Sequence, residues 1–229
     1  MPVSPRLSAP AVSPRRIFYL HGFASSPKST KVGYFTDRLR EHGIELRCPD
    51  FNQPDFSSLT ITRMLEQLEA EIGGPLDSAP AVLIGSSLGG TLAVLAADRF
   101  GARVDRLVLL APAVMFAKPR HHLLPPERID EWRRRGAMPF FHYAAQAERE
   151  LGFAFYEDSL RYDAFHIAVR QPTLIFQGLR DVSVDWHTVE AFAKTRPNMT
   201  LSLLDDDHQL IGSLPRIWRD VAPFLGIAE

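Results

Sequence analysis

Apolar residues along the chain fall into two kinds of run. Short continuous runs of strand length occur at Ile17-Phe18-Tyr19-Leu20, Ile44 to Cys48, Ala81-Val82-Leu83-Ile84, Leu107 to Leu110, Thr173 to Phe176 and Thr200 to Leu204. Between them, apolar residues recur three and four positions apart, as in Ile61, Met64, Leu65, Leu68 and Ile72, or Leu88, Leu92 and Leu95. Helices are therefore predicted over Val32 to Glu41, with Gly43 just past the end, and from near Ser58 or Thr60 to a stop at Gly73-Gly74-Pro75. Further helices are predicted after Gly85 to Gly90, around Asp185 to Thr195, and from Leu214 to Phe224. Strands alternating with helices specify an α/β fold with a mostly parallel central sheet flanked by helices.

The alternation breaks between Ala113 and Arg170, where no clear strand is visible. Pro125-Pro126-Glu127 marks a helix start, Arg128 to Arg135 reads as helical, and Gly136 closes it. Phe140 to Tyr143 and Phe153 to Tyr156 concentrate aromatic residues. The expectation is a helical cap insertion over 113–170 within a single domain spanning 15–229, preceded by a disordered leader over 1–14.

The 229 residues are 45% hydrophobic and 23% charged, which fits one globular domain. A net charge of -1 leaves no footprint for nucleic acid. The densest basic run, Arg133-Arg134-Arg135, reads as a solvated helix face. Cys48 is the single cysteine, so no internal disulfide forms; it reads as core or strand end rather than as a nucleophile. No stretch reaches the roughly 18 apolar residues of a membrane span. The first residues are rich in Pro and Ser, lack an apolar signal core and carry no acid before Asp37. A cytoplasmic location is expected, with a short transit peptide as the open alternative. The oligomeric state is not legible.

Chemistry-bearing residues fall just after the strands, where parallel sheets bind ligands. Gly85-Ser86-Ser87-Leu88-Gly89 reads G-x-S-x-G between a strand and a helix, the pattern of a serine nucleophile elbow. A serine hydroxyl needs a base, and histidine suits because it titrates near neutrality. A carboxylate then fixes the imidazole tautomer. Ser87, Asp181 in Gly178-Leu179-Arg180-Asp181, and His208 after Asp205-Asp206-Asp207 follow the Ser…Asp…His order. The oxyanion donors expected are the backbone N–H groups of Leu88 and of Phe23, the latter in His21-Gly22-Phe23 after the first strand.

Tyr19-Leu20-His21-Gly22-Phe23-Ala24-Ser25-Ser26-Pro27 followed by Gly85-Ser86-Ser87-Leu88-Gly89-Gly90 resembles the YqiA-type small esterase family of α/β-hydrolase-fold serine hydrolases, and the closing Asp207-His208-Gln209 is similar in style. The likeness runs from Ile17 through nearly the whole chain. It implies the α/β-hydrolase fold and esterase activity on short or medium acyl chains, with no metal or organic cofactor. The stretch from Ala113 to Arg170 is longer than in the smallest members, so their substrate preference is not carried over.

The expected activity is hydrolysis of a small-molecule acyl ester through an acyl-enzyme. Thioesterase or amidase chemistry on the same triad is the alternative within enzymes, and a non-catalytic binding protein on a hydrolase fold the alternative outside them. His142 and Tyr143 are candidates for the substrate pocket, as are Trp132, Phe140, Phe141, Phe153 and Phe155, although aromatic residues in an insertion more often only pack. Ser25, Ser26 and Lys28 lie beyond the oxyanion turn, where contact with substrate competes with satisfying the loop backbone. The Asp205 to Asp207 run reads as a solvated turn, since no second ligand cluster accompanies it for a metal.

Overall fold

The computed structural model describes residues 16–73, 79–116, 118 and 124–227. The expected leader over 1–14, together with His121 and His122 of the insertion, lies outside the described residues. Six strands form one wholly parallel sheet: β1 (Arg16–Leu20), β2 (Leu46–Arg47), β3 (Ala81–Ser86), β4 (Val104–Leu110), β7 (Thr173–Gly178) and β8 (Met199–Leu204). Their order is β2-β1-β3-β4-β7-β8. The chain steps outward from β1 to β2, then returns to lay β3 on the other side of β1. The loops leaving β1 and β3 therefore diverge across a crevice at the carboxyl ends of the strands.

Period-two alternation within the strands divides the core in two. Ile17, Tyr19, Val82, Ile84, Val108 and Leu110 face α1 (Thr30–Arg40) and α7 (Leu214–Phe224). Phe18, Leu20, Leu83, Leu107 and Leu109 face α2 (Ile61–Ile72), α3 (Leu88–Phe100) and α6 (Trp186–Lys194). Helix starts follow their caps: Ser29 accepts from the Val32 N–H, Thr60 from Arg63, and Asp185 from His187.

The insertion differs from the expected all-helical cap. Between α4 (Pro126–Arg135) and α5 (Ala154–Ser159) runs an antiparallel hairpin, β5 (Ala137–His142) with β6 (Ala147–Gly152). Gly136, in the left-handed conformation at φ 75°, ends α4 and turns the chain into the hairpin. Met138 and Leu151 face each other as a buried cross-strand pair, and the Trp132 indole N–H donates to the Leu151 carbonyl at 2.8 Å. The insertion closes over the sheet through rings: Phe140 and Phe155 pack on Phe23, and Trp132 packs on Phe140 and Phe153.

Candidate active site

The turn from β3 into α3 holds Ser87 at φ 53° and ψ -117°, a region a non-glycine residue occupies only when its surroundings enforce it. The Ser87 N–H donates to the Leu110 carbonyl, and its carbonyl accepts from Gly90 and Ala113. Two glycines make the turn fit. A Cβ on Gly85 would stand 2.3 Å from the Gly89 carbonyl oxygen, and one on Gly89 would stand 1.9 Å from that of Leu20. The strand-to-helix turn is thus pressed against β1, and the hydroxyl of Ser87 is left on the wall of a cavity of about 1160 Å³.

His208, in the loop after β8, places Nε2 3.0 Å from Ser87 Oγ. Asp181, in the turn after β7, places Oδ2 2.7 Å from His208 Nδ1. The structure thus brings together the three residues that the sequence spaced 94 and 27 positions apart along the chain. The Asp181 carboxylate is fully buried and fully engaged. Its Oδ1 accepts from the N–H groups of Ser183 and Val184, both at 2.8 Å, and its Oδ2 also accepts from Gln177 Nε2 at 2.9 Å. Burial pushes the carboxyl up, but the hydrogen bonds from His208 and the Val184 N–H outweigh it and hold the group below the usual carboxylate range. Gln177 was not singled out from the sequence; the signal was a polar residue directly after an apolar strand run, now seen wholly buried against the carboxylate of Asp181.

The loop after β1 is arranged by His21, which is 3% exposed. Its Nε2 accepts from the Phe51 N–H at 3.1 Å, so the proton sits on Nδ1, which donates to the Gly22 carbonyl at 2.9 Å. The same carbonyl accepts from the Ser25 N–H. In a trans peptide the C=O and the following N–H point in opposite directions. Two donors gripping the Gly22 carbonyl therefore turn the Phe23 N–H the other way. Leu88 opens α3, where the first N–H groups have no intrahelical acceptor. Gly22, Phe23, Ser87 and Leu88 all line the cavity.

Of the pocket candidates named in the insertion, Tyr143 lines the cavity, whereas Trp132, Phe140, Phe141, Phe153 and Phe155 do not, and the buried His142 stands behind the wall. His142 Nδ1 accepts from the Ala145 N–H at 3.2 Å, and its Nε2 donates to Asn52 Oδ1 at 3.0 Å. The Asn52 amide nitrogen donates in turn to the Ser25 carbonyl at 2.8 Å. His142 and Asn52 thus tie the hairpin to the loop after β1, and Asn52 too was missed from the sequence. Phe140 and Phe155 are spent on Phe23 rather than on the cavity, whose apolar lining includes Phe23, Met115, Phe116 and Val184. Cys48 is half-buried, with its thiol pushed up to about 12 by burial, as suits a packing residue.

No cluster of three or more His, Cys, Asp or Glu poised to hold a metal ion occurs among the described residues, and none of their helices is long and apolar enough to cross a membrane.

The chain is 30% identical over 116 residues to mitochondrial palmitoyl-protein thioesterase ABHD10 of Bos taurus, a match covering 49% of this chain and 38% of that protein. The human protein of the same name is 30% identical over 117 residues. The chain thus matches well under half the length of these curated relatives. Among solved structures, mouse alpha/beta hydrolase domain-containing protein 10 superposes with a TM-score of 0.75 at 20% identity, covering 92% of this chain and 89% of that one. Est1E from Butyrivibrio proteoclasticus, solved with ferulic acid bound, superposes with a TM-score of 0.78 at 20% identity, covering 93% and 88%. These likenesses carry the fold, an α/β-hydrolase fold as expected. Residues 16–224 match the family described as Uncharacterised protein family (UPF0227), and the chain belongs to it.

Proposed function

We propose that the protein is a serine hydrolase that cleaves carboxylic esters through an acyl-enzyme. The observation that carries the reading is the unbroken line Ser87 Oγ, His208 Nε2, His208 Nδ1, Asp181 Oδ2, with contacts of 3.0 and 2.7 Å, opening on a cavity. Ser87 Oγ attacks the ester carbonyl carbon while its proton passes to His208 Nε2. The carbonyl oxygen becomes an oxyanion, which accepts from the N–H groups of Phe23 and Leu88. Collapse of the tetrahedral intermediate breaks the bond to the alcohol oxygen, which takes the proton from His208. The acyl group remains as an ester of Ser87. Water then attacks the acyl carbon as His208 removes its proton, the acid leaves, and Ser87 recovers its hydrogen. Asp181 holds the imidazole in place and stabilises the imidazolium formed in each half.

Thioester cleavage is the second reading. It is favoured by the 30% identity to proteins named palmitoyl-protein thioesterase. The acyl-enzyme is the same, and only the leaving group differs. A fluorophosphonate probe is expected to label Ser87 in the folded protein and to leave Ser87→Ala unlabelled. Turnover of matched butyryl and octanoyl esters, thioesters and amides then assigns the leaving group. An unlabelled native protein, or Ser87→Ala with native turnover, would sink the reading.

A further inference from the structure

We propose that the α1 side of the cavity is a subsite for an anionic group, a carboxylate or phosphate carried by the leaving part of the substrate, with Lys31 as its buried cation. The proposal rests on the hydrolase reading and names the kind of substrate that site takes.

Lys31 is 7% exposed, lines the same cavity as Ser87 and His208, and has no hydrogen bond or ion pair to its ammonium among the described residues. Burying an ammonium without a partner is costly, and folds seldom accept it without a use. The acids that act on it from a distance, Asp207, Asp181 and Asp206, are each engaged elsewhere. Asp181 is held by His208, Gln177 and two backbone N–H groups. Asp206 accepts from the N–H groups of Ser213 and Asp207, and Asp207 from that of Gln209. Burial lowers the Lys31 ammonium to about 8, which leaves it protonated at neutral pH.

The backbone around Lys31 points the same way. It is the second residue of the 11-residue helix α1, capped by Ser29 and with no acid in its first turn. Thr30 and Lys31 therefore present the positive end of that helix to the cavity they line. Lys28 stands exposed at the rim, beside Ser26. The one carboxylate on the cavity wall among the described residues, Asp185, is the N-cap of α6. Phe23, Met115, Phe116 and Val184 also line the cavity, and they pack against the core on the α2, α3 and α6 side of the sheet, whereas α1 packs on the other side. A cavity cationic on one side and apolar on the other fits a substrate with an apolar acyl part and an anionic remainder. The acids that Lys31 senses flank His208, the residue that returns the proton to the departing alcohol, so the anion belongs on the alcohol.

Binding to Ser87→Ala protein tests this without turnover. Calorimetry would compare 4-carboxyphenyl butyrate, 4-(phosphonooxy)phenyl butyrate and the neutral methyl ester of the first. At least one anionic ester is expected to bind about tenfold tighter than the neutral one, the scale of a charge-assisted hydrogen bond. The preferred anion identifies the source as carboxylate or phosphate. The gap should close when Lys31→Met is added and persist with Lys31→Arg. Equal affinities for all three esters, or a gap that survives Lys31→Met, would overturn the proposal. Failure of native protein to hydrolyse any of the three would instead overturn the hydrolase reading and leave the binding comparison standing.

Discussion

Asp181 Oδ2 sits 2.7 Å from His208 Nδ1, and none of the other contacts of that carboxylate offers it a proton acceptor. Both of its oxygens face donors only: the Ser183 and Val184 N–H groups on Oδ1, and His208 and Gln177 on Oδ2. An amide in this place would turn an NH2 toward one of these donor pairs. Either the turn after β7 loses its hydrogen bonds, or His208 takes the wrong tautomer and offers Ser87 an N–H. Asp181→Asn is expected to lower kcat by about 10³–10⁴ with a much smaller change in KM. Steady-state kinetics on a butyrate ester checks it, and turnover within tenfold of native would remove Asp181 from its assigned role.

Ser87, Asp181 and His208 were legible as a candidate site because each follows a strand that announces itself by a short apolar run, and the chain order supplied the rest. The hairpin of the insertion was not. Pro139 interrupts β5, and Glu148-Arg149-Glu150 fills β6 with charge, because both strands are edges and one side faces solvent. His142 looked like a pocket residue by its aromatic company, yet its partner Asn52 lies 90 positions away in a loop with no periodic pattern. Lys31 was invisible for a similar reason. A lysine at the start of a helix reads as solvated until the fold brings the loops that carry Asp181, Asp206 and Asp207 near it.

Asn52 joins the Ser25 carbonyl to the His142 ring, so Asn52→Ala leaves both without that partner. Among the described residues, the backbone hydrogen bond left between the hairpin turn and this loop, Ala144 N–H to the Ala24 carbonyl, is long at 3.4 Å. The variant is expected to fold, to lose about 1–2 kcal/mol, and to melt about 2–8 °C lower. With the hairpin loosened from the loop after β1, which the proposed mechanism uses to hold the oxyanion, kcat should fall by about tenfold. Thermal denaturation and kinetics on the same preparation check both parts. An unchanged Tm with unchanged kcat would show that the tie is dispensable.

Gly89 and Gly22 flank the same crevice and should respond differently to a methyl group. At Gly89 the added carbon meets the Leu20 carbonyl at 1.9 Å and the His21 carbonyl at 2.9 Å, both backbone. Only a shift of α3 away from β1 relieves that, at about 3 kcal/mol or more. At Gly22 the nearest atoms are the Ser86 carbonyl at 3.3 Å and Ser87 Cβ at 3.4 Å, which small adjustments absorb. Gly89→Ala should lose fluorophosphonate labelling and much of its stability to urea, whereas Gly22→Ala should stay folded with reduced labelling. Equal urea midpoints for the two variants would contradict the packing described.

Lys31 makes a stability prediction that is separate from binding. Burial lowers its ammonium from 10.5 to about 8, against the pull of Asp207, Asp181 and Asp206 in the other direction. Below pH 8 the folded and unfolded chains both carry the proton, and the cost of the buried charge is fully present. Between about 8 and 10.5 the unfolded chain holds the proton and the folded chain releases it, so stability from this residue rises with pH. The span corresponds to about 3 kcal/mol. Lys31→Met should therefore be more stable than native protein at pH 7, and the difference should shrink by about that amount by pH 10.5. Urea unfolding of the two proteins across this range measures it, and a difference that stays constant with pH would mean that Lys31 is not a buried charge. An anion seated against Lys31 offsets the same cost. An anionic ester bound by Ser87→Ala protein should therefore raise its urea midpoint at pH 7, and should do so far less once Lys31→Met is added.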